Sequence, residues 1–134
     1  MIIKTVSILF LVAAIFTDQA ALKVIVQNVQ VGKGGIVVEV YDSENSFLKR
    51  PIASKTLNAN SNVMEFLFNI PPGTYAIAVY QDLNDNKKLD AGLFHIPKEP
   101  YGFSNNYRPK FSAPSYKDCL IKVTAMTTSV INLK

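Results

Sequence analysis

Val63-Met64-Glu65-Phe66-Leu67-Phe68-Asn69 places Met64, Phe66 and Phe68 on one face and Val63, Glu65 and Leu67 on the other. This is the period-two pattern of a β-strand, and its bulkier apolar face is expected to point into the core. Directly after it, Ile70-Pro71-Pro72-Gly73-Thr74-Tyr75 reads as a turn that feeds a strand from Ala76 to Tyr80. Proline fixes φ and offers no ladder donor, and glycine admits a positive φ. Tyr75 is placed to cover the edge of the core, and Ile77 and Val79 join the set expected to be buried.

Working outward, the same period recurs in runs rich in β-branched and aromatic residues. Leu22 to Val29 and Ile36 to Tyr41, separated by Gly32-Lys33-Gly34-Gly35, look like a hairpin. Asp42 to Arg50 is polar, with Phe47 and Leu48 under a short helical turn, and extended structure resumes from Ile52 to Leu57. Leu120 to Ala125 and Ser129 to Leu133 read as a closing hairpin. About seven short strands at regular turn spacing predict an all-β fold, a single antiparallel two-sheet sandwich of immunoglobulin-like or transthyretin-like architecture. A small barrel is the second choice. The chain has 134 residues, of which 49% are hydrophobic and 18% charged, which suits one domain with a packed core.

The N-terminus is read separately. Lys4, an apolar run from Val6 to Phe16 broken only by Ser7, then Thr17-Asp18-Gln19 and the small Ala20-Ala21 follow the order of a secretory signal peptide. The run is too short to anchor the chain across a bilayer. Residues 1–20 are therefore expected to be removed and residues 21–134 to form the domain, exported to the periplasm or the exterior with no transmembrane segment left. Loss of Lys4 and Asp18 leaves the net charge at +4. It is concentrated late in the chain, where Lys98, Arg108, Lys110, Lys117, Lys122 and Lys134 face only Glu99 and Asp118. Export and the scatter of these bases argue against nucleic acid.

One long connection, Asp82 to Asp118, breaks the regularity. Its anchoring apolar residues (Leu93, Phe94, Ile96, Tyr101, Phe103, Tyr107, Phe111, Tyr116) and four prolines predict an ordered loop. It opens with oxygen-bearing side chains at alternate positions, Asp82, Asn84, Asn86 and Asp90, with the Lys88 carbonyl between the last two. That spacing is the one by which a tight loop gathers calcium ligands. Lys87 stands where such loops use glycine, and Leu93 where they use a bidentate acid. The same side chains also cap metal-free turns.

Three stretches carry a family resemblance: Tyr80 to Asp90, Ile96-Pro97-Lys98-Glu99-Pro100-Tyr101-Gly102-Phe103-Ser104-Asn105-Asn106, and Ala113-Pro114-Ser115-Tyr116-Lys117-Asp118, with Pro71-Pro72-Gly73 and Tyr75 upstream. Over roughly residues 22 to 134 the chain resembles the bacterial domain-of-unknown-function 2141 family of small exported β-sandwich proteins. Lys87 and His95 depart from it, each standing where glycine is commoner. The resemblance implies fold and export and carries no mechanism with it.

Catalytic machinery is not indicated. Cys119 heads an apolar strand and reads as a small core residue, His95 has no second histidine or serine elbow beside it, and no spacing fixes Asp90 and Glu99 as a glycosidase pair. The expectation is a non-catalytic binding module, in which Tyr101, Phe103, Asn105, Asn106 and Tyr107 contact a glycan or protein of the cell envelope, with a weak calcium-binding loop at Asp82–Asp90. The alternative is a structural or assembly protein of the envelope that pairs through exposed sheet edges. Buried rings at 101, 103 and 107 would favour the alternative.

Overall fold

The computed structural model describes Leu11, residues 19–86 and residues 98–134. Among them the chain is all-β: β1 (Ala20–Gln27), β2 (Gly35–Tyr41), β3 (Ala53–Asn58), β4 (Met64–Ile70), β5 (Gly73–Asp82), β6 (Tyr101–Phe103), β7 (Ile121–Val123) and β8 (Met126–Asn132), with no α-helix. They form a three-stranded sheet ordered β4-β1-β8 and a five-stranded sheet ordered β3-β2-β5-β6, with β7 also on β5. The outer edge of β5 is shared end to end, β6 pairing with Ala78–Tyr80 and β7 with Gly73–Tyr75.

Alternation explains which faces meet. Met64, Phe66, Phe68 and Ile70 of β4, Leu22, Val24 and Val26 of β1, Ile36, Val38 and Val40 of β2, and Ile77 and Val79 of β5 enter one buried cluster. Both sheets therefore contribute to the same core, and the facing expected of Met64, Phe66, Phe68, Ile77 and Val79 is found. Tyr75 is buried at the core's end, its hydroxyl donating to the Pro71 carbonyl at 2.6 Å. A second cluster lies on the opposite face of the five-stranded sheet, where Tyr41, Phe47, Ala76, Ala78, Phe103 and Cys119 pack together.

The two sides of the molecule differ. Beyond β8, Leu133 still donates to Gln27, whereas Lys134 exchanges both backbone hydrogen bonds with Tyr101 at 3.2 Å each. The chain thus leaves one sheet and couples to the edge of the other. Gly102 makes the approach feasible, since a Cβ there would stand 2.6 Å from Ile131 Cγ2. On the far side, edge strands β3 and β4 are not paired with each other. Lys55, opposite Val38 and hence on the core-facing row of β3, sets its ammonium 5.2 Å from the Phe68 ring centroid and donates to the Leu67 carbonyl on β4. A charge placed so at an edge blocks further strand addition there.

Several expectations require correction. The first two strands are not a hairpin: β1 pairs with β4 and β8, and β2 with β3 and β5. Nor do the last two strands pair, β7 lying on β5 and β8 on β1. The β1–β8 pair is parallel, so the three-stranded sheet is mixed rather than antiparallel. Among the described residues eight strands replace seven, because the long connection contains β6. Gly73 needs no positive φ and begins β5, while Gly32 and Gly34 hold the left-handed positions of the β1–β2 link. Phe47 is buried as expected, but Leu48 is exposed.

Candidate functional site

β6 and the 3-10 turn Ser104–Asn106 that follows it carry the residues expected to bind ligand. Between the stretches of β5 taken by β6 and β7, Ile77 has no strand partner on that edge among the described residues. The buried Ser104 hydroxyl takes its place, accepting from the Ile77 N–H at 2.9 Å and donating to the Cys119 carbonyl. Asn105 and Asn106 then adopt left-handed φ of 63° and 50°, which asparagine tolerates better than most residues. Their amides are used by the fold. Asn105 Nδ2 donates to the Leu120 carbonyl at 2.8 Å, and Asn106 Nδ2 donates to Val130 O while its Oδ1 accepts from Asn132 N at 2.9 Å.

The aromatic residues divide. Phe103 is buried in the second cluster. Tyr101 is half-buried, edge-on to Phe103 at 5.7 Å, with the Arg108 guanidinium 4.3 Å from its ring centroid and Arg108 Nη1 donating to the Tyr101 carbonyl at 2.8 Å. Tyr107 is 36% exposed. The negative charge of Asp118 raises its hydroxyl's pKa, and Asp118 is itself held below its ordinary range by hydrogen bonds from Ser115. Tyr101 and Tyr107 thus flank the Asn105–Asn106 staple in sequence, the one against Arg108 and the other beside Asp118, and the five expected residues do not share one surface.

The proposed metal ligands begin at the end of β5. Asp82 is buried, with Oδ1 accepting from Asn86 N at 3.2 Å, and Asn84 Oδ1 accepts from the same N–H at 3.3 Å. Asp85, at φ 54°, forms the bend between them. Lys88, Asp90 and His95 lie outside the described residues. Among the described residues no group of three or more histidine, cysteine, aspartate or glutamate side chains converges. Glu99, not counted as part of this loop from the sequence, is buried and accepts from Leu83 N at 2.6 Å, so it fixes the loop's first residue after the strand. Only its place beside Pro100 and Tyr101 in the quoted motif hinted at such a role. Gln81 was missed as well. Its buried amide donates to the Gln30 and Lys33 carbonyls at 2.7 Å each and accepts from Gln30 N at 2.9 Å, tying the β1–β2 link to β5.

Residues 24–131 match the family described as "Uncharacterized protein conserved in bacteria" (DUF2141). The chain belongs to the DUF2141 family. No curated protein and no solved structure matches it. In this DUF2141 chain the motif from Tyr101 to Asn106 builds the joint between the sheets, and Ser115 to Asp118 forms a capping box on the 3-10 turn Tyr116–Cys119.

Potential nucleophiles on the second-cluster side of the five-stranded sheet are subdued by their surroundings. Burial, aided by Asp118, pushes the Cys119 thiol up to about 12. Tyr80 is raised to about 12, first by burial and then by the charges of Glu39, Asp82 and Glu99. Tyr41 lies well above its ordinary range through burial and its 2.5 Å hydrogen bond to Glu39.

Proposed function

We propose that this DUF2141 protein is an exported, non-catalytic binding module whose two sheets form an immunoglobulin-like or transthyretin-like sandwich. The observation that carries the reading is the division of the 101–107 segment: Ser104, Asn105 and Asn106 bind backbone, while Tyr101, half-buried against Arg108, and the exposed Tyr107 are left at the surface. A rigid scaffold holding aromatic groups at its periphery suits recognition of a glycan or a protein of the envelope. The Cys119 thiol, protonated at neutral pH, and the Ser104 hydroxyl, engaged at both donor and acceptor, support the non-catalytic part. The test is a glycan and peptide binding screen on the secreted form, repeated with Tyr101→Ala and Tyr107→Ala. Binding that both variants leave unchanged would locate recognition elsewhere.

Assembly through sheet edges is the second reading. It is supported by β3, whose residues from Ser54 to Asn58 are all exposed, and opposed by Lys55, which covers β4's edge carbonyl.

Export belongs to the same proposal. The mature protein should begin near Ala21, whose N–H bonds to the Ala125 carbonyl. Mass spectrometry of the native product checks it, and full-length chain recovered from the cytosol would overturn it.

The Asp82–Asp90 loop is proposed to bind calcium at roughly 10⁻⁴–10⁻³ M, in the range of extracellular modules. The alternation of Asp82, Asn84, Asn86 and Asp90 supports it, while the caps that Asp82 and Asn84 place on the Asn86 N–H are the competing use of the same oxygens. At a free calcium ten times the dissociation constant the fold should gain about 1.4 kcal/mol, a shift of several degrees. The comparison is the calcium-dependent shift in wild type and in Asp82→Ala, each against its own chelated form. No shift in wild type would leave the loop a self-capped turn.

A further inference from the structure

We propose that the Tyr101–Arg108–Lys134 surface is a site for the carboxylates of an acidic polysaccharide. This deepens the binding-module reading and rests on it.

The site arises where the two sheets join. Because Tyr101 and Lys134 exchange both backbone hydrogen bonds, they are directly opposed and their side chains leave the strands on the same face, with Cβ atoms about 5 Å apart. Tyr80, opposite Tyr101 on the other side, continues the row. Arg108 approaches that face from the segment after the 3-10 turn and lies against the Tyr101 ring. One aromatic ring thus has a guanidinium over it and a lysine beside it, on a backbone held by paired strands rather than by a loose loop.

The chemistry of the two cations selects the ligand. Arg108 uses one N–H on the Tyr101 carbonyl, which fixes the plane of the guanidinium and keeps the rest of its fork for a carboxylate, the geometry that such a fork matches best. Lys134 adds an exposed point charge. Lys98 and Lys110, both exposed, lie within three residues of Tyr101 and Arg108 along the chain. Glu99, the acid nearest in sequence, is buried and engaged with Leu83, and it acts with Glu39 and Asp82 on Tyr80, at the end of the row away from Lys134. Arg108 and Lys134 at one ring, with Lys98 and Lys110 flanking them in sequence, fit a polymer that repeats its negative charge. A charged, paired-strand surface suits an extended saccharide chain better than a bilayer, which rewards an inserted apolar face.

The experiment uses the mature secreted protein and affinity electrophoresis in gels containing polygalacturonate, with neutral dextran as control and phosphatidylglycerol vesicles in a parallel sedimentation assay. Wild type should be retarded by polygalacturonate, less so as salt rises, and not by dextran. Arg108→Gln should weaken retention about tenfold, as expected for a lost charge-assisted hydrogen bond. Lys134→Gln should weaken it by a smaller factor, and Lys122→Gln, which removes the same charge from β7, should leave it unchanged. Arg108→Lys, matched to wild type in thermal midpoint, should recover only part of the affinity, because it restores charge but no fork. Equal losses from Lys122→Gln and Arg108→Gln would reduce the effect to net charge and overturn the site. Binding to dextran alone would overturn the site and keep the binding-module reading. Binding to vesicles alone would reassign the surface to lipid. Retention by none of the probes in a protein that binds peptides in the wider screen would defeat the site alone, and failure in both would defeat the two readings together.

Discussion

Ser104 illustrates how one side chain can replace a length of strand. Its hydroxyl serves the Ile77 N–H and the Cys119 carbonyl at the point where β6 has ended and β7 has not begun. Ser104→Ala removes partners from both groups in a dry setting, where an unsatisfied polar group costs about 1–3 kcal/mol. Urea unfolding of this variant should show a loss of about 2–4 kcal/mol, and a loss below about 0.5 kcal/mol would mean that the ladder does not depend on the hydroxyl. Nothing local in the sequence announces this role. Ser104 and Ile77 are 27 residues apart, and Gln81 and Gln30 are 51 apart. Polar residues take their meaning from partners that period-two patterns cannot locate. The amides of Asn105 and Asn106 can donate to and accept from a ligand, yet left-handed φ values and nearby carbonyls direct that chemistry to the backbone.

At the scale of elements, alternation was the dependable signal. β4 buries Met64, Phe66, Phe68 and Ile70 and exposes the residues between them, as the quoted stretch implied. Phe66 is almost fully buried where the sheets meet, so Phe66→Ala should cost about 3–5 kcal/mol through lost burial and a residual cavity. Denaturant titration measures this directly, and a loss under about 1 kcal/mol would contradict its place in the core. Pairing was less legible because it is decided by contacts distant in sequence. The glycine-rich link after β1 looks like a hairpin turn, but Gly34 serves another need: at φ 59° it passes so close to the Asp82 carbonyl that a Cβ would stand 1.8 Å from it. The chain uses this glycine to cross from one sheet to the other. β6 is not legible in the sequence for a related reason, since three residues are too few to show a period and their strand character comes from β5.

For the molecule as a whole, the outer face of the five-stranded sheet gathers groups that fold in their protonated form, and this sets the response to alkali. Cys119 moves from an ordinary 9.0 up to about 12, chiefly through burial. Tyr80 moves from 10.0 to about 12, and Tyr41 is raised further beside Glu39. In each case the native state binds a proton that the unfolded chain releases at lower pH, so between the two values the unfolded state holds fewer protons and stability falls as pH increases. The contribution of Cys119 is complete below pH 9 and is lost as pH rises towards 12, and those of the tyrosines begin to fade above pH 10. Thermal midpoints should therefore be level near neutrality on account of these groups and drop by several degrees between about pH 9 and pH 11. Cys119→Ala lowers the midpoint at neutral pH by opening a small cavity, but it should make the early part of the alkaline decline shallower, because its titrating group is gone while Tyr41 and Tyr80 remain. A decline of equal slope in both proteins would show that the thiol titrates alike in the folded and unfolded chain. The second cluster would then be open enough to water to ionise it, contrary to the packing of Cys119 among Tyr41, Phe47, Ala76, Ala78 and Phe103.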